Sequence, residues 1–204
     1  MPGRAKLIIA TNNRHKLAEI KGIFVGSNIE VLSAADFVDF PEVEETGATL
    51  AENAALKART IWQRYHLPCL ADDTGLEVDC LGGRPGVYSS RYAGPEATYD
   101  DNCNKLLEET AGSKQTDRKA RFRCVMVFID SGGGEHIAEG TIEGEIIGQK
   151  RGENGFGYDP IFFVPSSGKT LAEMESSEKN KISHRHNALA KIIPLIRQLL
   201  TSPI

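Results

Sequence analysis

KLIIATNNRHKLAEIKGIF (residues 6–24) changes its periodicity partway through. Lys6 to Thr11 form an apolar run of strand type that breaks at Asn12 and Asn13. From His15 onward, Leu17, Ile20 and Phe24 recur on one helical face. A strand that turns directly into an amphipathic helix is the building unit of an α/β fold. The pattern then repeats. IEVLSA (29–34) reads as a second strand, and TLAENAALKARTIWQRY (49–65) as a helix with Leu50, Ala54, Ile61, Trp62 and Tyr65 as its buried stripe. Thr49 with Glu52 three residues on is a capping box that starts this helix.

Further along, PCLADD (68–73) is a strand and YDDNCNKLLEETAG (99–112) another helix. ARFRCVMVFIDSGGGEHIAEGTIEGEII (120–147) reads as a β-hairpin turning at SGGGE. GENGFGYDPIFFVP (152–165) is a glycine-rich loop entering a short strand. SHRHNALAKIIPLIRQLL (183–200) is a closing helix capped by Ser183, which Pro194 should bend or restart. Early alternation followed by a hairpin predicts an α/β domain with a mixed sheet.

A chain of 204 residues buries a full core as one large domain, or one domain with two lobes. The net charge of −4 argues against a dedicated nucleic-acid binder, which carries a basic excess, but leaves room for a local basic pocket. Cys69, Cys80, Cys103 and Cys124 have neither CxxC nor zinc spacing and read as thiols of a reducing compartment. No apolar run approaches a membrane span. MPGRAKLIIAT is too short and too quickly polar for a secretory signal, so the expected location is cytoplasmic.

Four clusters carry chemistry. TNNRHK (11–16) lies between a strand and a helix N-terminus, where backbone N–H groups and the helix dipole favour an anion, with Lys16 and Arg14 adding charge. It lacks the GxxxxGK[ST] pattern, and the bland alternative is an ordinary turn. PEVEETG supplies Glu42, Glu44 and Glu45, which taken alone read as a solvated run. Asp72 and Asp73 follow an apolar strand, and consecutive strand residues face opposite sides, so only one of the pair faces a given cleft. With a glutamate of the second cluster, Asp73 could surround a hard cation such as magnesium, which takes few carboxylates together with waters and phosphate oxygens. As an isolated dipeptide, the pair reads instead as an Asx-turn before Thr74-Gly75. In the last cluster Phe156 and Tyr158 offer aromatic faces to a planar base, and Lys179, His184 and Arg185 offer donors near a helix start. The alternative there is a core aromatic pair and a solvated basic turn.

In order, IIATNNRHKLAEI, EETGATLAENAALKA, LADDTGLEVDCLGGRPGVYSSRYAG, GFGYDPIFFVP and EKNKISHR resemble the Ham1-like inosine triphosphate pyrophosphatase family, most closely its bacterial dITP/XTP pyrophosphatases. The segments span the chain almost end to end. Thr74 stands where the bacterial pattern has serine, so a hydroxyl is kept; SGGGEHIAEG and MPGRA match nothing. The resemblance implies an elongated, two-lobed α/β domain (1–204) with a long bent mixed sheet, flanking helices and a central cleft, acting as a homodimer. It implies magnesium-dependent hydrolysis of ITP, dITP and XTP to the monophosphate and pyrophosphate. By position, Thr11, Asn12, Asn13, Arg14, His15 and Lys16 would cradle the triphosphate, and Lys57 would add charge. Glu45, with Glu44, would hold the metal beside Asp73, the base for the attacking water, with Asp72 in support. Thr74 would contact substrate, and Phe156, Gly157, Tyr158 and Asp159 would form one wall of the base pocket. Lys179, His184 and Arg185 would contact the base.

Selecting a 6-oxo purine over adenine needs donors where adenine presents its own amino group, and His184, Arg185 and backbone N–H groups fit that need. Two rival readings remain. Asp73-Thr74-Gly75 also matches the DTG of aspartic proteases, whose two aspartates share a proton, although a lone copy would need a dimer. The other is a non-catalytic nucleotide-binding protein of the same fold.

Overall fold

The computed structural model describes residues 4–201; Met1 to Gly3 of the MPGRA segment, and residues 202–204, lie outside the described residues. Eight strands are present among the described residues: β1 (Ala5–Ile9), β2 (Ile29–Leu32), β3 (Cys69–Val78), β4 (Pro85–Gly86), β5 (Lys119–Ile129), β6 (Glu135–Ile146), β7 (Phe162–Val164) and β8 (Lys169–Thr170). Five α-helices accompany them: α1 (Arg14–Ile23), α2 (Leu50–Tyr65), α3 (Tyr99–Thr110), α4 (Ser176–Ile182) and α5 (His184–Thr201). The hydrogen-bonded order is β2-β1-β3-β5-β6-β7-β8, with β4 on β3. β1 runs parallel to β2 and β3, whereas β3–β4, β6–β7 and β7–β8 are antiparallel. The sheet is therefore mixed, as the late hairpin predicts.

The chain divides into two compact units. The first comprises Met1–Asp73, Val125–Glu139 and Ala188–Ile204. Its core includes Ile8 of β1, Cys69 and Ala71 of β3, and Val127 and Ile129 of β5, packed with Ala54, Ala58 and Ile61 of α2. Those three recur at helical spacing, and the two small alanines let the helix lie close on the sheet. The capping box forms as predicted: Thr49 accepts from the Glu52 N–H, and Glu52 accepts from the N–H groups of Ala48 and Thr49. Trp62 and Tyr65 are only half-buried; Trp62 Nε1 donates to the Asp130 carbonyl, and Tyr65 packs on Phe37 with ring centroids 4.2 Å apart.

The second unit comprises Thr74–Cys124 and Gly140–Asn187. Leu76, Val78, Leu106, Phe122, Ile146, Ile161, Phe162 and Leu171 build its core. Two expectations need correction. The strand expected over 68–73 does not turn at the aspartates but runs on to Val78, because Gly75, Leu76 and Val78 are all buried and the backbone stays in the sheet. Pro194 does not restart α5, which runs unbroken from His184 to Thr201 with Pro194 exposed. The basic segment before α5 forms α4, which removes the alternative of a solvated turn there. Ser183 does cap α5, its Oγ accepting from the His186 N–H at 3.1 Å. No helix among the described residues is long and apolar enough to cross a membrane.

Candidate active site

Asp72 and Asp73 are adjacent in β3, so their side chains leave opposite faces of the strand. Both are buried, at 2% and 6% exposure. A buried carboxylate is costly unless it is paired and hydrogen-bonded. Each aspartate meets that requirement with a different helix. Asp72 Oδ2 pairs with Lys16 Nζ of α1 at 2.8 Å. Asp73 Oδ1 lies 3.4 Å from Lys57 Nζ of α2, and Asp73 Oδ2 accepts from Asn53 Nδ2 at 3.2 Å.

Lys16 reaches Asp72 because of the sheet register. β1 and β3 are parallel, with Ile9 opposite Leu70, so the turn leaving β1 stands beside the start of the aspartate pair. Ligands of open α/β sheets bind outside such strand ends. In this turn Thr11 Oγ1 accepts from the Asn13 N–H. Asn13 caps α1, and its Oδ1 accepts from the N–H groups of His15 and Lys16. Two of the backbone donors expected to greet an anion are thus already engaged by the chain's own cap. Asn12, Arg14 and His15 are exposed.

Lys57 Nζ also bonds Glu45 Oε1 at 2.9 Å, so one ammonium joins Glu45 to Asp73. Glu44 is exposed and Glu45 half-buried. Burial pushes the Asp73 carboxyl up from its ordinary value and Glu45 adds to the rise, against the opposing pull of Lys57, Lys16 and Asn53. For Lys57, burial opposes the charge, but Asp73, Asp72 and Glu45 outweigh it and its pKa is raised. Among the described residues, no group of three or more His, Cys, Asp or Glu side chains is placed to hold a metal ion. Glu45 and Asp73 share the Lys57 ammonium.

Sequence reasoning missed Asn53. It is fully buried in α2, one turn before Lys57 on the same face. The signal was available: a polar amide inside a helix, among alanines, at four-residue spacing from a lysine.

In the second unit, Thr74 follows in β3 and is half-buried. The loop of Phe156, Gly157, Tyr158 and Asp159 is organised by Asp159. Its Oδ2 accepts from the Phe156 N–H at 2.8 Å and from Lys179 Nζ of α4 at 2.5 Å. A side chain at Gly155 would meet Asp159 Oδ2 at 2.1 Å, and its φ of 78° is left-handed, so glycine is required there. Lys179 Nζ stands 4.6 Å from the Phe156 ring centroid and Arg185 Cζ 5.8 Å from it, both within cation–π range. His184 stacks on Phe122, with centroids 4.9 Å apart. Tyr158 is buried in the core and donates its hydroxyl to the Ser89 carbonyl. The half-buried ring of Phe156 and the deeply buried ring of Tyr158 therefore have different surroundings. His184 and Arg185 open α5 and are buried as well.

A family model described as the Ham1 family matches residues 7–195. A dITP/XTP pyrophosphatase of Thermoanaerobacter sp. (strain X514) is 49% identical over 187 residues, covering 92% of this chain and 94% of that protein. Among solved structures, a HAM1 protein from Coxiella burnetii superposes with a TM-score of 0.88 at 42% identity, covering 94% and 98% of the two chains. The Staphylococcus aureus Ham1 protein gives 0.86 at 40% identity, covering 94% and 97%.

Proposed function

The chain belongs to the Ham1 family, and on that premise we propose that it hydrolyses the non-canonical purine nucleoside triphosphates ITP, dITP and XTP to monophosphate and pyrophosphate. Such an enzyme removes these nucleotides from the pool before they enter DNA or RNA. The observation that carries the reading is Asp73, a buried carboxylate with raised pKa held between Lys57 and Asn53. General bases are tuned upward by burial in this way.

Asp73 orients a water toward the α-phosphorus and takes its proton as the bond to phosphorus forms. The Thr11–Lys16 turn and Lys57 hold the triphosphate, and the lysines offset charge on the departing pyrophosphate. Asp72 keeps Lys16 in place. Glu45 and Asp73 suit Mg2+: both are hard oxygen donors, and this ion takes one or two carboxylates while waters and substrate phosphates complete its shell. When bound, Mg2+ supplies further positive charge to the phosphates. Glu44, being exposed, is the lesser candidate ligand.

The base falls to the second unit. Phe156 offers its ring, Gly157, Tyr158 and Asp159 fix the loop, and Lys179, His184 and Arg185 supply donors to a 6-oxo purine. Thr74 contacts substrate through its hydroxyl. Homodimer assembly follows from the family resemblance. A cytoplasmic setting agrees with four cysteines, none of them in a disulfide. The protease alternative is disfavoured because Asp73 meets a lysine and an amide in the place of a second proton-sharing aspartate.

The test is incubation with Mg2+ and ITP, dITP, XTP, ATP or GTP, with separation of products. Pyrophosphate from ITP and XTP in large excess over ATP is expected; equal turnover of ATP, or orthophosphate as first product, would overturn the reading.

A further inference from the structure

Asn53 sits in the first turn of α2 and is fully buried. Burying an amide is unfavourable unless both ends are bonded. Here both are. Oδ1 accepts from the Gly47 N–H at 2.7 Å, and Nδ2 donates to Asp73 Oδ2 at 3.2 Å. Only this orientation of the amide works, because the reverse would set NH2 against N–H and oxygen against carboxylate. Gly47 lies two residues after Glu45, and a Cβ there would stand 2.7 Å from Asn53 Oδ1 and 2.7 Å from Glu52 Cβ. The next two N–H groups, of Ala48 and Thr49, are held by Glu52. The loop carrying Glu45 is thus fastened to the first turn of α2, and the same amide that fastens Gly47 also fixes one oxygen of Asp73.

We infer that Asn53 is a positioning residue of the active site, one amide setting the acidic loop and Asp73 in register so that Glu45 and Asp73 converge on one divalent cation. This rests on the proposed pyrophosphatase reading and extends it to a fully buried residue that acts through Gly47 and Asp73. Groups that orient metal-binding carboxylates typically cost about 10–100-fold in metal affinity or activity when removed.

Asn53→Asp separates positioning from mere loop anchoring. It keeps the shape and the acceptor for Gly47 but replaces the neutral donor to Asp73 with a second carboxyl, and the proton the two acids then share competes with a cation for Asp73. Direct Mn2+ binding, read by electron paramagnetic resonance without substrate, should weaken by about 10–100-fold, with kcat for ITP falling comparably and KM changing less. Should Asn53→Asp fold poorly, the exchange Asn53→Asp with Asp73→Asn re-forms the amide–carboxylate bond in reverse. It should recover the melting temperature lost by the single variant while leaving Mn2+ binding weak. Wild-type Mn2+ affinity in Asn53→Asp, or no recovery in the exchange, overturns the inference. Failure of the wild-type protein to cleave ITP instead overturns the activity and leaves the Mn2+ result standing.

Discussion

Asp72 and Asp73 are neighbours in one strand yet answer to lysines of different helices, Lys16 of α1 at 2.8 Å and Lys57 of α2 at 3.4 Å. Strand alternation separates the two charges onto opposite faces, so their repulsion is relieved without a turn. The two residues then have different partners. Asp73 shares its lysine with Glu45, whereas Asp72 restrains a lysine at the start of α1.

Asp73→Asn keeps the shape and removes the charge. In the proposed mechanism it costs the base, so kcat for ITP should fall by about 10²–10⁴-fold. Removing a buried carboxylate relieves desolvation, so the melting temperature should not fall sharply. Steady-state kinetics and thermal unfolding by circular dichroism measure both.

Lys57→Met preserves the apolar stem and deletes the ammonium between Glu45 and Asp73. Without Mg2+ the variant should lose about 1–3 kcal/mol of stability, since a buried carboxylate loses a charged partner. Added Mg2+ should raise its melting temperature more than that of wild type, by mass action on the folded state. Equal Mg2+ shifts in the two proteins would contradict the proposed cation site at Glu45 and Asp73.

Asp159→Asn weakens the buried pair with Lys179, whose side chains are 3% and 8% exposed. Breaking a buried pair costs up to about 3–5 kcal/mol, less here because the amide oxygen still accepts. The Phe156 ring and the ammonium over it lose their common anchor. KM for ITP should rise and the preference over ATP narrow, with kcat less affected. An unchanged preference would place selectivity elsewhere.

The hairpin turn supplies a pH prediction. The His136 side chain holds the Asp130 carboxyl below the ordinary aspartate range, with help from the Gly134 and Gly132 N–H groups. A depressed folded pKa means the unfolded chain binds more protons in the acid range, so stability rises with pH there. This contribution is complete above the unfolded value near pH 4 and is lost as pH falls through the folded value below it. Melting temperatures from pH 5 to 2 should fall less for Asp130→Asn than for wild type.

Local signals in the sequence located the elements that obey local rules. Thr49 and Glu52 announced α2, and Ser131–Glu135 the β5–β6 turn. Tertiary demands hid the rest. Thr74-Gly75 resembles a turn, but burial of Leu76 and Val78 keeps β3 extended. SSEKNKI shows no apolar period because α4 buries a lysine, and it is Asp159, twenty residues earlier, that makes this possible. Asn53 escaped for the same reason: its partners, Gly47 and Asp73, lie in a loop and a strand. At the site, residue types and order were legible, but the pairing of each aspartate with its own lysine was not.

The central claim is attack of water on the α-phosphorus of a 6-oxo purine triphosphate, and hydrolysis of ITP in 18O-labelled water tests it most directly. The account predicts the label in the monophosphate, with unlabelled pyrophosphate. Label in pyrophosphate or orthophosphate would contradict it.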